Sequence, residues 1–264
     1  MRTILFGDVH GCLEELRELV NRLAVGPTDR LVFVGDLMDK GPLPAETVRY
    51  VRELGAQMVL GNHEEKHLRW RRHEDKKRGN PNYKNPMHPL GPAKEAQNAA
   101  LSDEDVAWLN NLPTVLELAP GWVVVHGGLL PGKPLATQMA DKKLSSTLLR
   151  LRWVDKEGKH VPVSYDEAGH PTPLKEGDHW AEVYDGKVNV VYGHEAHSLT
   201  TPRVDEQPQG TRTFGIDTGV VHGGHLTAMV LDSNEMDQSL KAHVEFVQVA
   251  ARVKYTPHPI LDAV

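Results

Sequence analysis

Three times within the first 64 residues a short apolar run ends in a glycine followed at once by an aspartate or an asparagine. Thr3 to Phe6 runs into Gly7-Asp8-Val9-His10-Gly11, Leu31-Val32-Phe33-Val34 into Gly35-Asp36-Leu37-Met38-Asp39-Lys40-Gly41, and Gln57 to Leu60 into Gly61-Asn62-His63-Glu64. Each run is of strand length. The stretch that follows the first carries Leu13, Leu16, Leu19, Val20 and Leu23 at helical spacing, and a second helix is expected over 44–54, opening on Pro44. Such a repeat predicts an open α/β sheet, where ligands gather beyond the carboxyl ends of the strands because the loops there converge. Three strands that each end in a ligand therefore point at one place. The flanking glycines let the backbone turn sharply and approach an ion closely.

Residues 65–78 read as a basic helix, 80–92 as a loop with four prolines, and Ser102 as the N-cap of a short helix ending near Leu112. Together 65–112 are expected to form a cap inserted within one domain spanning 1–264. Strands are predicted over 114–118, 122–125, 188–192, 212–216, 226–231 and 244–249, as a second sheet packed on the first. The polar stretch 155–178, with Gly158, Gly169, Pro171, Pro173 and Gly177, is a long excursion, either a substrate loop or a mobile insert.

Composition excludes several functions. The 264 residues carry a formal charge of -6, which argues against a general nucleic-acid binder, since that task calls for excess positive charge. Cys12 is the only cysteine, and Met1 leads into the first motif without a cleavable signal, so a reducing cytoplasm is expected. The longest apolar stretches fall far short of the roughly twenty residues that cross a bilayer.

The residue types in the motifs suit paired divalent cations. Asp8 and His10 are one residue apart and can face the same side of an extended segment. Asp36 can bridge to a second ion, for which Asn62, His126 (in His126-Gly127-Gly128) and His194 (in Gly193-His194-Glu195) supply an amide oxygen and two imidazoles. Two dications against Asp8 and Asp36 keep a local charge of about +2, enough to attract phosphate to an acidic protein. They would also acidify a shared water and clamp the oxygens of an in-line displacement. His63 is placed as the proton donor to the departing oxygen and Asp39 as its orienting carboxylate. Lys40 and Arg152 are expected at the phosphate, Arg152 ahead of Arg150 for bidentate support. His67, His73, His88, His160, His170, His179, His243 and His258 are read as surface or packing residues.

In this order the motifs GDVHG, GDLMDKG, GNHE, HGG and YGH resemble the signatures GDxHG, GDxVDRG, GNHE and HGG of the phosphoprotein phosphatase branch of the metallophosphoesterases. Lys40-Gly41-Pro42, where the usual pattern has arginine, is more similar to ApaH-like phosphatases. The resemblance implies a four-layer α/β/β/α sandwich of two packed mixed sheets flanked by helices, with a small helical cap. It implies that Asp8, His10 and Asp36 hold one ion, that Asp36, Asn62, His126 and His194 hold the other, that Asn62 also touches the phosphate, and that His63 and Asp39 form the acid pair. Manganese is the expected ion, with iron, zinc, nickel, cobalt or magnesium as the other candidates. The first expectation for the reaction is hydrolysis of phosphomonoesters, including phosphorylated Ser, Thr or Tyr in a protein partner. The alternative, motivated by Lys40 and the basic run from Lys66 to Arg78, is cleavage of a phosphoanhydride in diadenosine tetraphosphate or polyphosphate.

Overall fold

A computed structural model of the chain describes residues 1–165 and 171–257. The repeat read from the sequence is present: β1 (Arg2–Phe6), α1 (Leu13–Arg22), β2 (Arg30–Phe33), α2 (Pro44–Glu53), β3 (Gln57–Met58) and α3 (Asn62–Gly79) follow in order, with β1, β2 and β3 parallel. Alternation along these strands sorts their side chains between two cores. Ile4, Phe6, Leu31 and Phe33 face Leu16 and Leu19 of α1 and Val48 and Val51 of α2, whereas Leu5, Val32 and Val34 face the opposite way.

The helix α3 begins at Asn62, three residues before the expected start. The reason is a cap from the loop after β2: Asp36 Oδ1 accepts the His63 N–H at 3.0 Å, satisfying one of the free donors of the first turn. Beyond α3 come α4 (Pro92–Ala99), which the proline-rich reading did not show, and α5 (Asp103–Asn110), whose Ser102 and Asp105 form the reciprocal cap expected of that sequence. Leu101 and Leu109 join the core under α1 and α2.

The chain then enters a second sheet through β4 (Val115–Ala119) and β5 (Trp122–Val125), and the short helices α6 (Leu135–Ala140) and α7 (Ser145–Leu148) lead into the excursion. The described part of the excursion is structured. Strands β6 (Trp153–Val154), β7 (His160–Val161), β8 (Val163–Tyr165), β9 (Pro171–Pro173) and β10 (Asp178–His179) form a three-stranded sheet, β10-β6-β7, and a β8–β9 hairpin. Gly169 and His170 lie outside the described residues, as does His258. The chain returns through β11 (Asn189–Tyr192), β12 (Arg203–Glu206), β13 (Arg212–Gly215), β14 (Asp217–Thr218), β15 (His225–Asp232), α8 (Ser233–Gln238) and β16 (Glu245–Ala250).

One strand assignment changes. The segments 226–231 and 244–249 were expected in the second sheet, yet β15 lies antiparallel to β1, with Leu5 opposite Met229, and β16 pairs with β15. Strand propensity says nothing of which edge a strand joins, and the free edge of β1 takes it. The first sheet therefore runs β14-β15-β1-β2-β3 with β16 beside β15, and the second β12-β13-β11-β5-β4. Leu5, Val32, Val34 and Met229 of one sheet meet Trp122, Val124, Val191 and Phe214 of the other in the central core. On the outer face of the second sheet, Val123, Val125 and Val190 pack on Leu148, Leu151 and Trp180, so that layer is made of short helices and the excursion. The result is a mixed α/β fold of packed sheets flanked by helices. Among the described residues no helix is long and apolar enough to cross a membrane.

Candidate active site

The loops after β1, β2, β5 and β11 meet at one end of the two sheets, and their backbones are strained there. Six described non-glycine residues have φ in the left-handed region, and five are in these loops: His10 (47°), Asp36 (53°), Asp39 (66°), Lys40 (65°) and His194 (73°). Each such residue costs on the order of 1–3 kcal/mol and persists only where its surroundings hold it. Glu64 does much of the holding. Its buried carboxylate accepts the N–H groups of Asp36 (3.0 Å), Leu37 (2.8 Å) and Met38 (2.9 Å). Burial, together with the charge of Asp36, nevertheless pushes its carboxyl up to about 7. Two glycines are required by close approach: a Cβ on Gly61 would run into Asp36 and Glu64, and one on Gly193 into the Asp8 carboxylate.

The histidines are oriented by backbone carbonyls. Nδ1 of His10 lies 2.7 Å from the Met38 carbonyl and Nδ1 of His126 lies 2.8 Å from that of Val34. A carbonyl only accepts, so both Nδ1 atoms carry a proton and each ring turns its Nε2 into the site. There the Nε2 of His126 faces oxygen acceptors, and that of His10 lies between Asp36 and the Lys40 ammonium. His126 Nε2 is 3.3 Å from Asp36 Oδ2 and 2.9 Å from Asn62 Oδ1, and His10 Nε2 is 3.6 Å from Asp36 Oδ2. The Nε2 atom of His194 is buried with no hydrogen-bond partner. Imidazole nitrogens this close to a carboxylate need a proton or a metal ion between them, and this mixed nitrogen and oxygen set, with the unpartnered His194 Nε2, fits divalent metal ions. Ligand atoms of Asp36, His126 and His194 lie within 4.8 Å of one another, as do those of His10, Asp36 and His63. Asp36 belongs to both groups, as a bridging carboxylate must.

The electrostatics are those of buried acids. Burial would raise Asp36, but the charges of His126 and His63 outweigh it and hold the carboxyl well below the usual carboxylate range. Burial, Asp217 and Asp36 push Asp8 well above that range. Burial lowers His10, helped by Lys40, and lowers His194, helped by Arg152. His126 is instead raised, because Asp36 outweighs burial. The Asp8 carboxylate accepts the backbone N–H of His194 at 3.1 Å and stands outside both groups of mutually close ligand atoms. Lys40 Nζ lies 3.0 Å from His10 Nε2 and counters both Asp8 and Asp217.

The structure joins His63 to Asp39, with Nδ1 2.6 Å from Oδ2. It adds two partners. His67 Nε2 meets Asp39 Oδ1 at 2.8 Å, and Lys94 Nζ meets Oδ2 at 2.8 Å, so three donors converge on one fully buried carboxylate. Burial would raise Asp39, yet the hydrogen bonds of His63 and His67 hold it far below the carboxylate range. Reading His67 as a packing residue captured its burial and missed this bond. Its position four residues after His63, on the same face of α3, is the signal that could have found it.

These groups open into a cleft of about 600 Å³ that Asp36, Lys40, Asn62, His63, His194 and Asp217 line on one side. Arg150 and Arg152 line it too. Arg150 Nη2 is held by Glu65 at 2.7 Å, and Arg152 Nε stands 3.5 Å from Glu195 Oε2, which His179 also approaches at 3.5 Å. Burial would raise Glu195, but His179 and the Arg152 charge beside it lower it. His179, set aside from sequence, thus shares with Arg152 a glutamate on the cleft. No described residue from 65 to 112 lines the cleft, although Lys94 and His67 reach Asp39 behind it.

Two packed sheets whose loops gather Asp36 with His10, His126 and His194 beside a hydrogen-bonded Asp39–His63 pair define a metal-dependent phosphoesterase. Residues 1–226 match the family model described as calcineurin-like phosphoesterase, and the chain belongs to that family. It is 39% identical over 137 residues to a symmetrical bis(5'-nucleosyl)-tetraphosphatase of Aromatoleum aromaticum, a match that spans 50% of this chain and 46% of that relative's length. A relative of the same name from Yersinia pestis is 28% identical over 290 residues, covering 93% of this chain and 95% of that one. A solved structure described as a candidate diadenosine tetraphosphatase matches with a TM-score of 0.66 and 25% identity over 95% of this chain and 93% of that one.

Proposed function

We propose that this protein is a phosphoanhydride hydrolase that cleaves dinucleoside polyphosphates of the diadenosine tetraphosphate type, symmetrically, to two nucleoside diphosphates. The names of its relatives favour this over the phosphomonoester and phosphoprotein reading that the motifs alone put first. The observation that carries it is the cleft. Lys40, Arg150 and Arg152 line the same 600 Å³ space as Asp36, Asn62 and His194, more room than a single phosphoryl group fills. The basic run 66–78, part of the original motive, supports nothing here, because it does not reach the cleft.

In this reading Asp8, His10 and Asp36 hold one divalent ion and Asp36, Asn62, His126 and His194 the other, manganese being the first candidate. When bound, the pair supplies Lewis acidity at the phosphoryl oxygens and lowers the pKa of coordinated water. The chain does the rest. Lys40, Asn62 and Arg152 bind and orient the phosphate, Arg152 being steadied by Glu195. His63, with Nδ1 fixed on Asp39, presents Nε2 to the cleft and passes a proton to the departing oxygen.

The test is product analysis. Manganese-loaded protein given diadenosine tetraphosphate is expected to release ADP alone, with kcat/KM above that for a phosphoserine peptide. Release of AMP with ATP, or faster turnover of the peptide, would overturn the reading.

A further inference from the structure

The cleft has a second wall that the phosphate chemistry does not use. It is also lined by Pro162, Val163, Tyr165 and Pro171 of the excursion, and by Thr256 and Pro257 from beyond β16, the former held at His222. The hairpin geometry decides which side chains face inward. Val163 and Tyr165 are two residues apart on β8 and share one face, while Ser164 points the other way and pairs its hydroxyl with that of Thr172 at 2.8 Å. Pro171 lies directly opposite Tyr165 in the register. The inward face is therefore apolar, rigid at its prolines, and carries one aromatic ring.

That ring is free to receive a partner. Tyr165 is 67% exposed, whereas Trp122, Trp180 and Tyr192 are buried in the cores. The end segment is fixed in place: Tyr255 and Thr256 donate their N–H groups to Val221, and the Tyr255 hydroxyl donates to the buried Glu15 at 2.8 Å. The cleft thus joins charged and imidazole groups to the apolar side chains of Pro162, Val163, Tyr165 and Pro171 in one space, within the 300–1,000 Å³ typical of small-ligand sites.

We infer that the β8–β9 hairpin is a nucleoside subsite, in which Tyr165 stacks on the base of the substrate while its phosphates extend toward Arg150, Arg152 and Asp36. This rests on the dinucleoside polyphosphate reading and adds what selects the nucleoside. Base stacking on an aromatic side chain is tolerant of base identity, so the subsite takes a nucleobase as a class and does not single out adenine.

The test compares two non-hydrolysable ligands that differ only in the nucleoside: adenosine 5'-methylenediphosphonate and methylenediphosphonate. Calorimetric titration of the manganese-loaded full chain is expected to show the adenosine compound binding about tenfold or more tightly. In Tyr165→Ala that advantage collapses toward one, and in Tyr165→Trp it is kept. Equal affinities in the wild type, or an advantage that survives Tyr165→Ala, would overturn the subsite. A wild type that leaves diadenosine tetraphosphate intact yet keeps the adenosine advantage would refute the anhydride reading and leave the subsite standing. Cleavage without the advantage would do the reverse.

Discussion

Replacing Asp39 by asparagine removes a charge without removing a shape, and the structure says what should follow. Oδ2 takes the His63 ring N–H at 2.6 Å and Lys94 Nζ at 2.8 Å, while Oδ1 takes His67 Nε2 at 2.8 Å. In Asp39→Asn the amide oxygen satisfies the pair at Oδ2, and the amide NH2 then confronts His67. That ring can shift its proton only by disturbing Asn98, whose side-chain amide sits 3.2 Å from His67 Nδ1. The fold has a way to accommodate the change, but protonated His63 loses its counter-charge. A hydrogen bond to a charged group is worth roughly 1.5–3 kcal/mol, which corresponds to roughly a ten- to 150-fold loss in kcat. The loss should depend on the leaving group. Across a series of aryl phosphates assayed with manganese, Asp39→Asn should lose most on phenyl phosphate and least on p-nitrophenyl phosphate, whose leaving oxygen has less need of a proton. Metal content should match the wild type. An equal loss along the series would refute the assignment of His63 as acid and leave Asp39 a merely structural anchor.

Three further outcomes are expected. Glu64→Gln, which turns one of three backbone contacts into an opposition of two donors, should cost about 1.5–3 kcal/mol of stability, read as a lower denaturant midpoint at unchanged slope. Gly193→Ala drives a methyl into the Asp8 carboxylate and should lower the stoichiometry of bound manganese, measured by elemental analysis, from two per chain. Cys12 is buried, and burial, then the charge of Glu15, lifts its thiol well above the ordinary range. It should resist a maleimide at pH 8 in the folded protein and react fully in denaturant, with fast native labelling counting against the burial.

Much of the α/β core was readable because its signals are local. Alternating apolar residues in β1 and β2, the helical spacing of α1, Pro44 at the head of α2 and the Ser102–Asp105 cap depend on neighbours a few residues away. The edge that β15 joins was not readable, since any alternating strand could have taken it. Nor was the start of α3, which a side chain 27 residues away sets.

The site divides in the same way. The sequence by itself determined the donor types and their attachment to strand ends, because a carboxylate, amide or imidazole after a glycine turn is a property of the chain. Only the tertiary structure decided that carbonyls of Met38 and Val34 turn two imidazole Nε2 atoms inward, that Asp36 stands in both clusters, and that His67 and Lys94 share Asp39 with His63. It also brought His160, Pro162, Val163, Tyr165 and Pro171 of the excursion to the cleft. Orientation, shared counter-charge and enclosure are relations among residues far apart in the chain, so they exist only once packing has brought those residues together.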